Sequence, residues 1–560
     1  MIERLQQSWR ELAGLLLVLG IRLATLPRTP WEADEFLFLE AVVDFDPSRY
    51  HPHPPGYPLY VFLGKVANLI LQAPFASLVL VSVISCAIGF LALTVAFRRM
   101  TGDRNLAAGG ALLFYLSAGM LVHSTLALAD AAALMFLALT FAASHPVAIG
   151  AVASAAIGCR PQLSIALLPA LLVMFVMAKR RWALLAGFTA MSLFWFVPLV
   201  VECGGWSGFL DYQLKQAAYF AQHDAGQSRG AMTLGQVAVR FIAHPWGAKW
   251  VAGPVMLLAG VGLALMVRRG AARAVIPFAV FCAIHLGFAI GTMDPADGVR
   301  YSLPGQMLIA LLAASGIALA RHFTLPIVVV LGALSFAYAS PILLERTARP
   351  SAPAQAAAYI DGDLPRDAVI VKQPATQMIA DWYFDDRRTI QLEEALREEI
   401  AAPMVLLADG GSTAPDAKVF AWRESDAYGK LTRNVFRNIT VDPIRPEERY
   451  VPERGVFALE RNPKGEEWRW LAPYASLRLP DIGRKTLLID LRLPADAPYD
   501  VNDVVVGGQT IRVTKQASPR TIPFAPRLEL RSARSYRPAD VLRNRDARVV
   551  AVQLVHIEQR

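Results

Sequence analysis

His51-Pro52-His53-Pro54-Pro55-Gly56-Tyr57-Pro58-Leu59-Tyr60 lies between two apolar runs, 11–27 and 76–97, and its reading sets the topology of the whole chain. Proline holds φ near −65° and restricts the residue before it, so this string predicts an extended turn. Pro58 suits the first position of a helix. Along the apolar stretch 57–72, Lys65, Asn68 and Gln72 recur at spacings of three and four, as one polar stripe. That pattern fits a helix lying along a membrane interface. If it crossed instead, everything downstream would change sides.

Outward from this stretch the chain divides into two halves. Over its 560 residues it is 55% hydrophobic and 18% charged, with mean hydropathy +0.38. Such a composition excludes disorder and points to membrane burial. Residues 1–344 carry 22 Lys and Arg against 15 Asp and Glu; residues 345–560 carry 33 against 31. The first half therefore reads as membrane-embedded and the second as a soluble module. The overall charge of +9 is not a nucleic-acid signal, because most of the excess falls in loops between apolar runs. Cys86, Cys159, Cys203 and Cys282 form no CxxC pair, which argues against a zinc module or a disulfide scaffold.

A crossing helix needs about 20 apolar residues. Eleven spans are expected, near 11–27, 76–97, 105–122, 125–143, 146–159, 162–178, 182–201, 251–267, 274–292, 303–320 and 325–344. The first is read as a retained helix rather than a signal peptide, since many spans follow. The basic clusters Arg4/Arg10, Arg98/Arg99/Arg104, Lys179–Arg181, Arg268/Arg269/Arg273 and Arg321 then share one side, the cytoplasmic one. Loops 28–75 and 202–250 and the C-terminal half fall outside.

Under this topology the ionisable residues gather at one rim. They are Asp34 and Glu35 in Trp31-Glu32-Ala33-Asp34-Glu35-Phe36, Asp130, Arg160, and Arg300 beside Tyr301. Each has a structural alternative: the acids can cap helices, and the arginines can snorkel. Their combination suits a transfer reaction with a phosphate leaving group. A carboxylate takes the proton of an attacking hydroxyl, and arginines hold the departing phosphate by forked hydrogen bonds. His51 and His53 could share a metal, but no third ligand is near. A hydrogen-bonding role toward phosphate or sugar is expected, and a divalent metal is not favoured. Candidate donor-phosphate residues are Arg160, Arg300, Tyr301, His51, His53 and Lys65. Tyr57, Tyr60, Tyr219, His223 and Arg229 are candidate sugar or acceptor contacts, and Gly226–Gly230 is a candidate flexible tip.

The acidic pair followed by residues 53–60, His-Pro-Pro-Gly-Tyr-Pro-Leu-Tyr, resembles the GT-C superfamily of integral-membrane glycosyltransferases. The string is most similar to a protein O-mannosyltransferase-like branch with the same signature. Ala33-Asp34-Glu35 is similar to the lipid A aminoarabinose transferases. The resemblance covers about 1–344, concentrated in 31–64, and the Asp130, Arg160 and Arg300-Tyr301 matches are positional. It implies a polyprenyl-phosphate-linked sugar donor, inversion at the anomeric carbon, and reaction at the outer face of a bacterial inner membrane. The acceptor would be an envelope glycan, lipid or protein. Asp34 would be the general base, Glu35 a supporting or alternate base, and Asp130 a second acid. The adjacency of Asp34 and Glu35 departs from the O-mannosyltransferase-like branch, which spaces its acids.

Residues 345–455 predict a small α/β unit, with strands at Ala368–Lys372 and Met404–Ala408. Residues 456–560 predict a β-sandwich or jelly roll, similar in architecture to carbohydrate-binding modules, with a hairpin at Gly507-Gly508. Trp468 and Trp470 alternate and so share one strand face. Glu424–Lys430 reads as a polar surface segment. The rival functional reading is a transporter or lipid-linked-sugar flippase. It is disfavoured because charges avoid the middles of the spans, where transporters place them.

Overall fold

The computed structural model describes residues 2–219, 232–269, 273, 275–395, 402–412, 416–423, 427, 429–432, 436–462, 466–481, 483–542 and 546–560. The chain forms two compact units. One comprises Met1–Ser351 with Arg423–Val435; the other comprises Ala352–Trp422 with Phe436–Arg560.

The first unit is helical. Six described helical stretches are long and apolar enough to cross a membrane: Pro74–Thr101, Arg181–Glu202, Lys249–Arg268, Val275–Thr292, Pro295–Ala320 and Thr324–Asp363. The other expected spans divide. Helix Ile2–Ala24 carries Arg22 near its end. The run 105–122 breaks into Arg104–Tyr115 and Ala118–His123 at Ser117, whose side chain caps the second piece. The run 125–143 is helical only over Asp130–Ala142. Helices Pro146–Cys159 and Ser164–Met177 are 14 residues each, separated by Arg160-Pro161. Apolar character persists through these breaks, so hydropathy alone overstates the helix lengths.

Residues 124–129 are buried but not helical. Irregular backbone at such depth requires partners from the protein. Ser82 Oγ donates to Leu126 O at 2.7 Å, and Ala127 N–H donates to Glu35 at 2.8 Å. Two fully buried arginines close the neighbouring helix ends. Arg22 donates to Tyr115 O at 2.6 Å and to Ser124 Oγ at 3.1 Å, and Arg346 donates to Val122 O at 2.7 Å.

The interfacial stretch forms helix Pro58–Leu71, which ends at left-handed Gln72 before the chain turns into helix Pro74–Thr101. Fourteen residues span roughly 21 Å, short of the ~30 Å hydrocarbon core. Leu69 and Ile70 on this helix are more than 80% exposed. Elsewhere, helices Pro146–Cys159 and Arg181–Glu202 approach closely. A Cβ added at Gly150 or Gly187 would collide with the carbonyl of Leu184 or Val147 on the other helix.

The second unit holds thirteen described strands. These are β1 Val369–Lys372, β2 Thr389–Gln391, β3 Met404–Asp409, β4 Lys418–Ala421, β5 Asn438–Pro443, β6 Val451–Arg461, β7 Glu467–Arg478, β8 Thr486–Arg492, β9 Val501–Val506, β10 Gln509–Thr514, β11 Ser518–Pro523, β12 Arg527–Ser532 and β13 Val552–Gln559. The first five form a sheet of order β2-β1-β3-β5-β4, parallel about β1 and antiparallel about β5. This is the expected α/β portion.

The other eight form an antiparallel sheet of order β10-β9-β12-β7-β13-β8-β11, with β6 beside β7. The long strand β7 pairs with β13 through Arg469–Leu471 and with β12 through Tyr474–Arg478. The strands alternate, burying Leu487, Ile489 and Leu491 of β8 and Val504 and Val506 of β9 in one core. The β9–β10 hairpin turns on Gly507 and Gly508, both at positive φ. The β-rich fold begins at Val451, five residues before the expected boundary.

Candidate active site

The rim residues named from the sequence sit at helix ends. Asp34 lies in the first turn of helix Ala33–Val43, and Asp130 opens helix Asp130–Ala142. Arg160 follows helix Pro146–Cys159, and Arg300 is the third residue of helix Gly298–Ile317. An acid is favoured at a helix N-terminus by the partial positive charge there.

The fold brings these four together. Arg300 is the hub: its Nη1 donates to Asp34 Oδ2 at 2.7 Å and its Nε to Asp130 Oδ2 at 2.9 Å. Arg160 pairs with the other Asp130 oxygen and stacks over the Tyr301 ring, 5.7 Å from its centroid. Glu32 adds a further carboxylate, 3.8 Å from Arg300 Nη1. Asp34 is 24% exposed, whereas Asp130 and Glu32 are 2% and 1% exposed. Asp34 is therefore the carboxylate of the cluster with access to an incoming group.

Glu35 has a different environment. Its Oε2 accepts from Trp31 N–H at 2.7 Å and Glu32 N–H at 2.9 Å, and its Oε1 from Ala127 N–H at 2.8 Å. It ties the helix start to the irregular 124–129 segment. Burial pushes its carboxyl up to about 7, against the pull of those donors. Burial also opposes ionisation of Asp34, but His53 and the Arg300 and Arg160 guanidiniums overcome it and hold that carboxyl below its ordinary value. Burial lowers His53 in spite of Asp34 beside it.

The remaining candidates separate. His53 packs with Tyr57 and Phe38, at ring-centroid distances of 5.0 and 5.6 Å. The Tyr57 hydroxyl accepts from Gln162 at 3.0 Å. These residues line the cluster. His51 bridges to Asp46 through the backbone, and Tyr60 is fully buried against Phe38. Lys65 stands two turns beyond Tyr57 and has no described contact with the cluster. Tyr219 ends helix Trp206–Tyr219; His223, Arg229 and Gly226–Gly230 lie outside the described residues. Among the described residues no group of three His, Cys, Asp or Glu could hold a metal ion.

Sequence reasoning missed Glu32, His123, Arg346 and Thr432. Thr432 Oγ1 donates to Glu32 Oε1 at 2.9 Å. His123 Nδ1 and Arg346 Nη2 lie 3.9 and 3.8 Å from that same oxygen. Glu32 stood in the quoted string, but a carboxylate two residues before Asp34 has no pattern of its own. Thr432 is 400 residues away in the chain.

With this geometry in hand, the fold is recognisable among solved structures. The chain superposes on the crystal structure of ArnT from Cupriavidus metallidurans bound to undecaprenyl phosphate, with a TM-score of 0.52 and 14% identity, over 78% of this chain and 98% of that one. The apo state of the same protein gives 0.51 and 15%, over 78% and 97%. The mycobacterial arabinofuranosyltransferase AftD aligns with 99% of this chain and 61% of its own, at 10% identity and a TM-score of 0.42, too low to equate the two folds. No family model matches the chain, and no curated protein does.

Proposed function

We propose that the chain is a membrane glycosyltransferase that moves a sugar from a polyprenyl phosphate carrier to an envelope acceptor, with Asp34 as general base. One observation carries this reading: a partly exposed aspartate is paired to a buried arginine hub, on a fold shared with a structure holding undecaprenyl phosphate. The acceptor hydroxyl attacks the anomeric carbon from the face opposite the phosphate. Its proton passes to the Asp34 carboxylate as the new C–O bond forms. The bond from the anomeric carbon to the phosphate oxygen breaks, and its electron pair leaves on the phosphate. Arg300 and Arg160 hold that charge, with Asp130 fixing both guanidiniums. When the donor phosphate engages Arg300, Asp34 is released from its ion pair and becomes the stronger base. Glu35, with both oxygens on backbone donors, is assigned a structural part. The site is proposed to face the periplasm of a bacterial inner membrane, with the second unit on that side. The O-mannosyltransferase-like branch is a finer reading that rests on residues 53–60.

Replacing Asp34 by Asn tests the assignment. A loss of about 10²–10⁴-fold in transfer, with normal membrane insertion, is expected. Unchanged transfer would remove Asp34 as the base.

For the second unit we propose saccharide binding. It contains a groove of about 500 Å³ lined by Tyr450, Trp468, Asp442, Arg445, Glu448 and His556 among others. Trp468 is half-buried in this lining and offers an aromatic edge or face to a sugar ring. Trp470 is buried, with its Nε1 bonded to Glu460.

A further inference from the structure

The connection between β4 and β5 contains Glu424–Lys430, expected as a polar surface segment, of which 424–426 and 428 lie outside the described residues. Arg423–Val435 groups with the helical unit, although both flanking strands belong to the other. Ala427, Leu431 and Thr432 are buried, each no more than 2% exposed. Two hydrogen bonds seat the segment. Thr432 Oγ1 donates to Glu32 Oε1 at 2.9 Å, and His123 Nε2 donates to the Leu431 carbonyl at 2.8 Å. The second bond places the imidazole proton on Nε2 and leaves Nδ1 facing Glu32 at 3.9 Å.

From these contacts we infer that Thr432 is a positioning residue of the candidate active site, delivered to it by the β4–β5 connection. Glu32 is almost fully buried, and its Oε2 has no hydrogen-bond partner among the described residues. The Thr432 hydroxyl is a donor that directly fixes this carboxylate through Oε1. Glu32 in turn lies 3.8 Å from the Arg300 nitrogen that donates to Asp34. A carboxylate free to rotate there would draw Arg300 away from Asp34 and Asp130. Fixed by Thr432, it adds negative potential from behind while leaving Arg300 aimed at the exposed side. The order of contact is Thr432 to Glu32, Glu32 to Arg300, and Arg300 to Asp34. The soluble part of the sequence thus supplies a residue without which the site is incomplete. The inference rests on the proposed donor-phosphate role of Arg300 for its functional consequence, but not for the contact itself.

The test uses the full chain in detergent with undecaprenyl phosphate as the probe. Affinity and melting temperature are measured for the wild type, T432V, T432S, E32Q and the T432V/E32Q double variant. Valine keeps the shape of threonine and removes the donor; serine keeps the donor. The expected result is a roughly tenfold weaker affinity for T432V and rescue by T432S to within about threefold of wild type. The double variant should be no weaker than E32Q alone, because two groups in one contact do not add. Unchanged affinity for T432V, or a lowered melting temperature with affinity intact, would overturn the positioning role. Fully additive losses would do the same. If the wild type itself binds no undecaprenyl phosphate, the donor reading fails, and the melting-temperature cycle decides the contact independently: non-additive shifts uphold it, and additive shifts refute it.

Discussion

Asp34 and Glu35 are neighbours in sequence with opposite surroundings. One faces an arginine and solvent; the other holds three backbone N–H groups in a buried joint. The joint predicts its own pH dependence. Burial places Glu35 at about 7 in the fold against 4.5 ordinarily, so the folded state favours the protonated form. Its contribution to stability is fully present below about pH 4.5 and is lost as pH rises through about 7. Glu35→Gln should flatten that slope in thermal unfolding followed across pH. It should also cost about 1–3 kcal/mol, because an amide NH₂ then faces a backbone N–H. A variant as stable as wild type, with the same slope, would refute the cap.

At the scale of elements, the short helix Pro58–Leu71 decides sidedness. Its length and exposed apolar end fit a helix lying flat, and the chain reverses directly after Gln72. Single cysteines at Tyr50 and Gln72, in a background lacking the four native cysteines, should react with a membrane-impermeant maleimide from the same side of oriented vesicles. Reaction from opposite sides would make this helix a crossing one. The polar stripe Lys65, Asn68 and Gln72 made this element readable from sequence. The broken helices around 116–130 were not readable in the same way. Ser117 is an ordinary cap and Asp130 simply opens its helix, but the partners that let 124–129 remain unwound come from Ser82 and Glu35, far along the chain.

For the whole molecule, the two units divide the proposed labour. In that proposal the helical unit would carry the transfer chemistry, and the polar, aromatic groove of the second would take a glycan. Its volume lies within the range of about 300–1,000 Å³ typical of ligand sites. Trp468→Ala should weaken binding of envelope oligosaccharides to the full chain by tenfold or more, measured by calorimetry, while donor affinity stays unchanged. Equal glycan affinity in both proteins would remove the groove as the acceptor surface.

Local sequence was enough to determine the membrane character of the first half, the α/β and β-rich portions of the second, and the rim acids and arginines. Each of these follows from composition, periodicity or spacing within a few tens of residues. Only tertiary structure decided that Arg300 joins Asp34 and Asp130, that Glu35 turns inward, and that Glu32 receives Thr432 from 400 positions away. The physical reason is that a buried charge depends on partners gathered from distant segments. Their identity is set by packing, which leaves no periodic trace along the chain.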